Sequence, residues 1–230
     1  MHKARSKSIC SCVLTKSDEP ACREFLQKSF PIASQNKPLN SYADFRLETD
    51  RLLIRAWSID DAEAAFEMYG DPLVAEYLTG VPEESLESQR ANLARLIAAY
   101  SKLDMGMASF PLIDRSSGDL VGAILLKPLP RSEHLDAWRA FRDDPTAIPP
   151  VNEIEIGWHL ARRHWGKGYA TEAARSTMSY AFETLKLDEV HAVLYKQNTK
   201  SRAIVQRLEM RHLGSTDRFY GVEVEHYVKP

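Results

Sequence analysis

The stretch from Glu153 to Tyr195 constrains the fold more than any other part of the chain. Glu153-Ile154-Glu155-Ile156-Gly157-Trp158-His159-Leu160 alternates in polarity and reads as a strand. A polar, basic loop from Ala161 to Lys167 follows. From Gly168 to Lys186, the residues Tyr169, Ala170, Ala173, Ala174, Thr177, Met178, Ala181, Phe182 and Leu185 fall on one helical face. Glu189 to Tyr195 is a second strand. A strand, a long crossover and another strand must run parallel, and the crossover is right-handed. The chain therefore contains an α/β unit.

The loop within that unit reads Arg163-His164-Trp165-Gly166-Lys167-Gly168-Tyr169-Ala170. Two glycines one residue apart let the backbone turn tightly and approach a ligand. The helix that starts there offers unpaired N–H groups and the positive end of its dipole, which together suit a pyrophosphate. Arg163 and Lys167 add positive charge beside it. Other phosphate motifs fit worse. No third glycine stands where the dinucleotide fingerprint needs one, and Lys167 lies between the glycines rather than after them, as a P-loop would require.

The rest of the chain arranges itself around this unit. Leu47 to Trp57 reads as an opening strand, and Ser58 caps a helix with an acidic first turn that runs to about Tyr69. A second helix spans about Glu84 to Lys102. Met107–Asp114 and Leu120–Leu126 flank a turn rich in Ser, Gly and Asp, which makes a β-hairpin; Pro111 within it favours an edge or a bulge. Residues 128–151 carry five prolines around a short helix at His134–Arg142 and read as an insertion. A helix at Thr199–Leu208 and two strands, about Arg211–Phe219 and Val222–Lys229, close the chain. Residues 1–45 show no sustained periodicity and are expected to form a disordered extension, with a short helix around Arg23–Ser29. Residues 46–230 then form one domain.

Composition narrows the function. The 230 residues hold 30 Lys and Arg against 32 Asp and Glu, for a net charge of −2, which argues against coating nucleic acid. No window holds the roughly 18 consecutive apolar residues of a membrane helix, so neither nucleic acid nor membrane is an expected partner. The three cysteines, Cys10, Cys12 and Cys22, are odd in number and confined to the extension; free thiols are expected, with no disulfide framework and no metal site. A cytoplasmic location is expected, with organelle import through the basic, acid-poor start of the chain as the alternative.

Arg163-x-x-Gly166-x-Gly168, after a strand ending Trp158-His159-Leu160 and opening an Ala-rich helix, resembles the GNAT superfamily of acyl-CoA-dependent N-acetyltransferases. Asp50-Arg51-Leu52-Leu53-Ile54-Arg55, Glu155-Ile156-Gly157-Trp158, Gly166-Lys167-Gly168-Tyr169-Ala170-Thr171-Glu172-Ala173 and Asn198-Thr199-Lys200-Ser201 are similar to the Rim-type branch, named for ribosomal-protein N-terminal acetyltransferases. Leu208-Glu209-Met210 departs from that branch's Leu-Gly-Phe turn. The resemblance covers roughly Leu47 to Lys229. It implies an α/β (mixed α+β) fold: a central mixed, mostly antiparallel twisted sheet, a parallel strand–helix–strand unit that binds acyl-CoA, and helices on both faces.

The resemblance also implies acetyl transfer from acetyl-CoA, without a metal, to a primary amine, either a protein N-terminus or a small molecule. The alternative is a protein of the same fold that binds acyl-CoA as a sensor or scaffold; a nucleotide-binding α/β module is a further reading. An ammonium must lose a proton before it can attack, from a reference pKa of about 10.4 for lysine or 7.7–8.0 for an α-amine. Glu155 is the expected base and Glu153 the runner-up, the two lying on one face at i, i+2 spacing. For acetyl-CoA the resemblance implies Arg163, His164, Trp165, Gly166, Lys167, Gly168, Tyr169 and Ala170 around the pyrophosphate. It implies backbone groups of Trp158, His159 and Leu160, with Asn198, along the pantetheine arm. Capping the helix at Thr199 is the competing role for Asn198. Ser201 is either a proton donor near the sulfur or an ordinary first-turn serine. His159 and His191 are expected to be structural.

Overall fold

The structure, a computed structural model, describes residues 41–78, 80–103, 106–143 and 153–230. The cysteines, the segment Arg23–Ser29 and the second half of the 128–151 insertion lie outside the described residues.

Eight strands form one sheet among the described residues: β1 (Arg46–Glu48), β2 (Leu52–Arg55), β3 (Ala108–Asp114), β4 (Leu120–Pro128), β5 (Ile154–Leu160), β6 (Val190–Leu194), β7 (Arg211–Thr216) and β8 (Val224–Lys229). Their order is β1-β2-β3-β4-β5-β6-β8-β7, and β5–β6 is the parallel pair. The stretch expected to be one opening strand is a hairpin instead: Thr49 accepts and donates hydrogen bonds with Leu52, folding β1 back onto β2. The packed chain also starts before residue 46. Tyr42 and Phe45 are buried, Phe45 stacks on Phe110, and the Tyr42 hydroxyl joins the backbones of Ser109 and Trp57. Pro111 lies just beyond the residues of β3 that pair with β2, where its missing N–H costs nothing.

Helices α1 (Ala62–Tyr69), α2 (Pro72–Ala75), α3 (Leu86–Leu103), α4 (Leu135–Asp143), α5 (Tyr169–Ser179) and α6 (Thr199–Arg207) complete the described elements, with short 3-10 turns between them. Ser58 forms the expected cap as a full capping box with Asp61, which Arg55 grips at 2.7 Å. Asp71 caps α2, whose first residue is Pro72. The helix expected to reach Lys186 instead passes from α5 into one π-helical turn, Tyr180–Thr184.

Both faces of the sheet are covered. On one, Ala173 and Ala174 of α5 are fully buried, their small side chains letting the helix lie close to the strands. On the other, Ala65 and Met68 of α1 and Leu93 of α3 pack with Trp57, Ile113 and Ala123. The decisive detail is register. β5 pairs with β4 along its whole length, from Ile154 to Leu160, but with β6 only at Glu155↔His191. Beyond Glu155 the parallel strands part, and a cavity of about 1540 Å³ opens between them.

Candidate active site

At one end of the cavity the chain leaves β5, makes a 3-10 turn at Arg162–His164, and enters α5 through Gly166 and Gly168. Both glycines have left-handed φ, 75° and 84°, which other residues rarely adopt. No side chain caps α5, so its first N–H groups remain available to a ligand. Arg51, from the β1–β2 turn, braces this loop. Its guanidinium donates to the Lys167 carbonyl at 2.9 Å, lies 4.7 Å over the Tyr169 ring, and grips Glu172 at 2.6–2.7 Å. Thr49 donates to the same Glu172 carboxylate at 2.5 Å. Burial pushes the Glu172 pKa up, but the Thr49 and Arg51 contacts outweigh it and hold the group below its ordinary value.

The expected loop cations are placed differently. Arg163 pairs with Glu67 at 3.0 Å, and its Nε donates to His164 Nε2 at 3.1 Å. The Lys167 side chain and Arg163 are not on the cavity wall; Arg51, Arg175, Lys200 and Arg207 are. Lys200 rests 3.6 Å over the Trp165 ring, whose Nε1 donates to the Leu160 carbonyl. Because His164 Nε2 accepts a hydrogen bond, the neutral ring carries its proton on Nδ1, a buried atom with no protein partner. Burial, then Lys167 and Arg163, depress the His164 pKa and favour that neutral form.

Along the gap between β5 and β6, Trp158 and Leu160 line the cavity with Asn198 and Ser201 opposite. Asn198 does cap α6, its Oδ1 accepting from Ser201 N at 3.0 Å, which leaves its amide nitrogen without a partner among the described residues. Ser201 Oγ accepts from Trp158 Nε1 at 3.3 Å, so its own proton is free to be donated.

The opposite face of β5 presents Glu155, Gly157 and His159 in succession. Register sets Lys127 of β4 directly across from Glu155, and the two pair at 3.0 Å. Tyr220, on the turn between β7 and β8, donates from its hydroxyl to the same carboxylate and accepts from Lys127 Nζ at 2.7 Å. Burial first, then Glu155, push the Tyr220 pKa well up, so the phenol stays protonated. This turn is clipped to the start of the 128–151 insertion: Tyr220 N donates to the Pro130 carbonyl and Ser132 N to that of Arg218. Glu153 has a different setting. It precedes β5, is held by Arg131 at 2.6 Å and Arg218 at 3.1 Å, and is not on the cavity wall. Lys127, Tyr220 and Arg51 were not singled out from the sequence. Only the match of Arg51 to the opening motif hinted at a role; Lys127 and Tyr220 carry no local signal.

No cluster of metal-ligating side chains occurs among the described residues. No described helix is long and apolar enough to cross a membrane.

Residues 51–211 match the family model of the acetyltransferase (GNAT) domain. An uncharacterized N-acetyltransferase of Bacillus licheniformis is 26% identical over 168 residues, covering 73% of this chain and 83% of its own. A solved GNAT-family acetyltransferase from Bacillus anthracis is 26% identical with a TM-score of 0.59, over 80% of this chain and 96% of its own. A ribosomal-protein-S5-alanine acetyltransferase from Vibrio fischeri shares the fold at 18% identity and a TM-score of 0.58, over 81% and 96% of the two chains.

Proposed function

The chain belongs to the GNAT acetyltransferase family, and from that we propose that it transfers an acetyl group from acetyl-CoA to a primary amine, of a protein N-terminus or a small molecule, by direct attack in a ternary complex. The observation that carries this reading is the parting of β5 from β6 just beyond Glu155, above a glycine loop that aims helix N–H groups into the same cavity.

GNAT domains take acetyl-CoA as acyl donor, and the residues here suit it. Gly166 and the start of α5 would hold the pyrophosphate, supported by Arg175, Lys200 and Arg207, and the orphaned His164 N–H marks a loop with unspent donor capacity. The exposed edges of β5 and the Asn198 amide would hold the pantetheine arm. When bound, acetyl-CoA supplies a thioester carbon to which the amine nitrogen bonds while the carbon–sulfur bond breaks and its electron pair leaves on sulfur. Glu155 takes the proton that the ammonium must lose. Its buried charge is compensated by Lys127, and Tyr220 fixes one of its oxygens. Ser201 donates the proton that the departing sulfur gains and is restored by the second proton that the nitrogen sheds as the amide forms. Glu153, neutralised by two arginines away from the cavity, positions the insertion instead.

Calorimetry with acetyl-CoA, followed by a free-thiol release assay over a panel of amines, tests this. Glu155→Gln should lower turnover by roughly 100-fold or more with little change in acetyl-CoA affinity. Undiminished turnover across pH would remove Glu155 from the role. Tight binding without turnover on any amine would favour the sensor reading, and no binding at all would sink the phosphate-loop argument.

A further inference from the structure

The acceptor side holds a second polar device that the acetyl-transfer reading does not use. Glu155, Gly157 and His159 share one face of β5, each about 6.6 Å from the next along the strand. Gly157 leaves a notch between the other two; a methyl placed there would sit 3.8 Å from Glu155 Oε1. The Leu125 side chain, across the ladder on β4, borders the same point at 3.7 Å; the carboxylate stands to one side along the strand and the His159 imidazole is the next side chain on the other.

That imidazole is held in one orientation. His159 Nδ1 lies 3.1 Å from the hydroxyl of Tyr69, the last residue of α1, and the two rings meet edge to face at 5.7 Å. A phenol is a better donor than an imidazole N–H, and a bare imidazole nitrogen a better acceptor than a phenol oxygen, so Tyr69 donates and the ring proton sits on Nε2. Nε2 has no partner among the described residues and is not among the buried orphaned atoms, while His159 lines the cavity. The N–H thus opens into the cavity. Burial, then the charge of Lys127, push the His159 pKa down to about 4, so the ring is neutral near pH 7. It offers a hydrogen bond without repelling an incoming ammonium.

We propose that His159, oriented by Tyr69, is a specificity-determining residue whose Nε2–H donates to an oxygen on the carbon next to the acceptor amine. The acceptors selected are then amines with an adjacent carbonyl, such as amino-acid amides and peptide N-termini, in preference to alkyl amines and polyamines. In such a molecule the oxygen lies within two bonds of the amine-bearing carbon. The amine over Gly157 can therefore face Glu155 while the oxygen faces His159. The inference rests on the acetyl-transfer reading above.

Matched acceptors separate the two. Thiol release would be followed with alaninamide against ethylamine, phenylalaninamide against phenethylamine, and lysinamide against cadaverine, at one fixed pH. The wild type should favour the amide of each pair. In His159→Leu the amide-to-amine ratio of kcat/KM should fall at least about tenfold, with acetyl-CoA affinity unchanged by calorimetry. Amine basicity cancels when one ratio is compared between two enzymes. His159→Asn, which keeps a donor, should recover part of the ratio, and Tyr69→Phe, which frees the ring, should lose part of it. These two variants also carry the test if His159→Leu does not fold. A wild type indifferent to the carbonyl, or losses equal on both members of each pair, would overturn the inference while leaving acetyl transfer intact. Absence of thiol release with every acceptor would instead overturn the reading beneath it.

Discussion

Glu209 occupies left-handed backbone space, at φ 55°, and the reason is the way α6 ends. The Met210 N–H reaches back to the Val205 carbonyl and the Glu209 N–H to that of Gln206, a Schellman motif in which the residue after the cap must turn left-handed. Met210 and Val205, both buried, supply the apolar contact that goes with it. The Glu209-Met210 departure from a Leu-Gly-Phe turn is therefore tolerated at a cost, since the backbone keeps the glycine conformation with a glutamate in it. That cost is roughly 1–2 kcal/mol, offset in a glycine variant by the greater freedom of its unfolded chain. Glu209→Gly should stabilise the protein by about 0.5–1 kcal/mol in denaturant unfolding, and its pair with Lys229, exposed on the glutamate side, should subtract little. A destabilised variant would mean that the turn gains something specific from the carboxylate. Tyr220 is left-handed as well. Its φ of 58° is unusual for a bulky side chain, and the strained turn is what carries its hydroxyl to Glu155.

Between elements, the contact that shapes the site most is the brace from the β1–β2 turn to the start of α5. Arg51 holds the Lys167 carbonyl, the Tyr169 ring and Glu172 at once, so it sets the loop that contains both glycines. It is half exposed, which limits its worth to about 1 kcal/mol. Arg51→Ala should therefore weaken acetyl-CoA binding by about 3–10-fold in calorimetry while leaving kcat at saturating acetyl-CoA nearly unchanged. An equal fall in kcat would show that the brace reaches the reacting groups. The parallel unit around this loop was legible from the sequence because all its signals are local: alternation in β5, paired glycines, an alanine-rich helical face, then β6. The opening hairpin reads as one strand because the turn at Thr49–Arg51 lacks glycine and proline, so nothing local separates Leu47 and Glu48 from the alternation that begins at Leu52. The partners of Glu155 were illegible for a different reason. Lys127 meets it through the register of two strands, and Tyr220 stands 65 residues away on a turn whose position depends on β8 lying between β6 and β7. The same holds for Arg163, which faces Glu67 across 96 residues and so spends its charge outside the cavity.

For the molecule as a whole, the net charge of −2 says little about the site, because the cations that matter are gathered at one end of the cavity. The charge balance has a clearer consequence for stability against acid. Besides His164, the fold keeps two histidines as neutral rings: His159, half-buried beside Tyr69, and the buried His226, whose Nε2 lies 2.9 Å from His191 Nδ1 under the edge of Phe219. Burial first, then Lys127 for His159 and His191 with Arg218 for His226, push both pKa values down to about 4. In the unfolded chain each would titrate near 6.5. Between those values the unfolded state binds more protons than the folded one. The stability owed to the neutral rings is therefore fully present above about pH 6.5 and is lost as the pH falls toward 4, at up to roughly 1.4 kcal/mol per pH unit for each ring. Asp114 adds a second, lower window. Hydrogen bonds from Ser116 first and then Tyr169 hold its carboxyl below the usual range, so its contribution is present above about pH 4 and fades only below that. The two windows can be separated by unfolding in denaturant at pH 7.5, 6.5, 5.5 and 4.5. The wild type should keep nearly all of its stability from pH 7.5 to about 6.5 and lose it from there down to 4.5. His226→Gln, which leaves His191 a polar neighbour, should start less stable at pH 7.5 and show a shallower slope between 6.5 and 4.5, because one of the proton-binding rings is gone. The same slope in both proteins would mean that His226 is not held neutral by the fold.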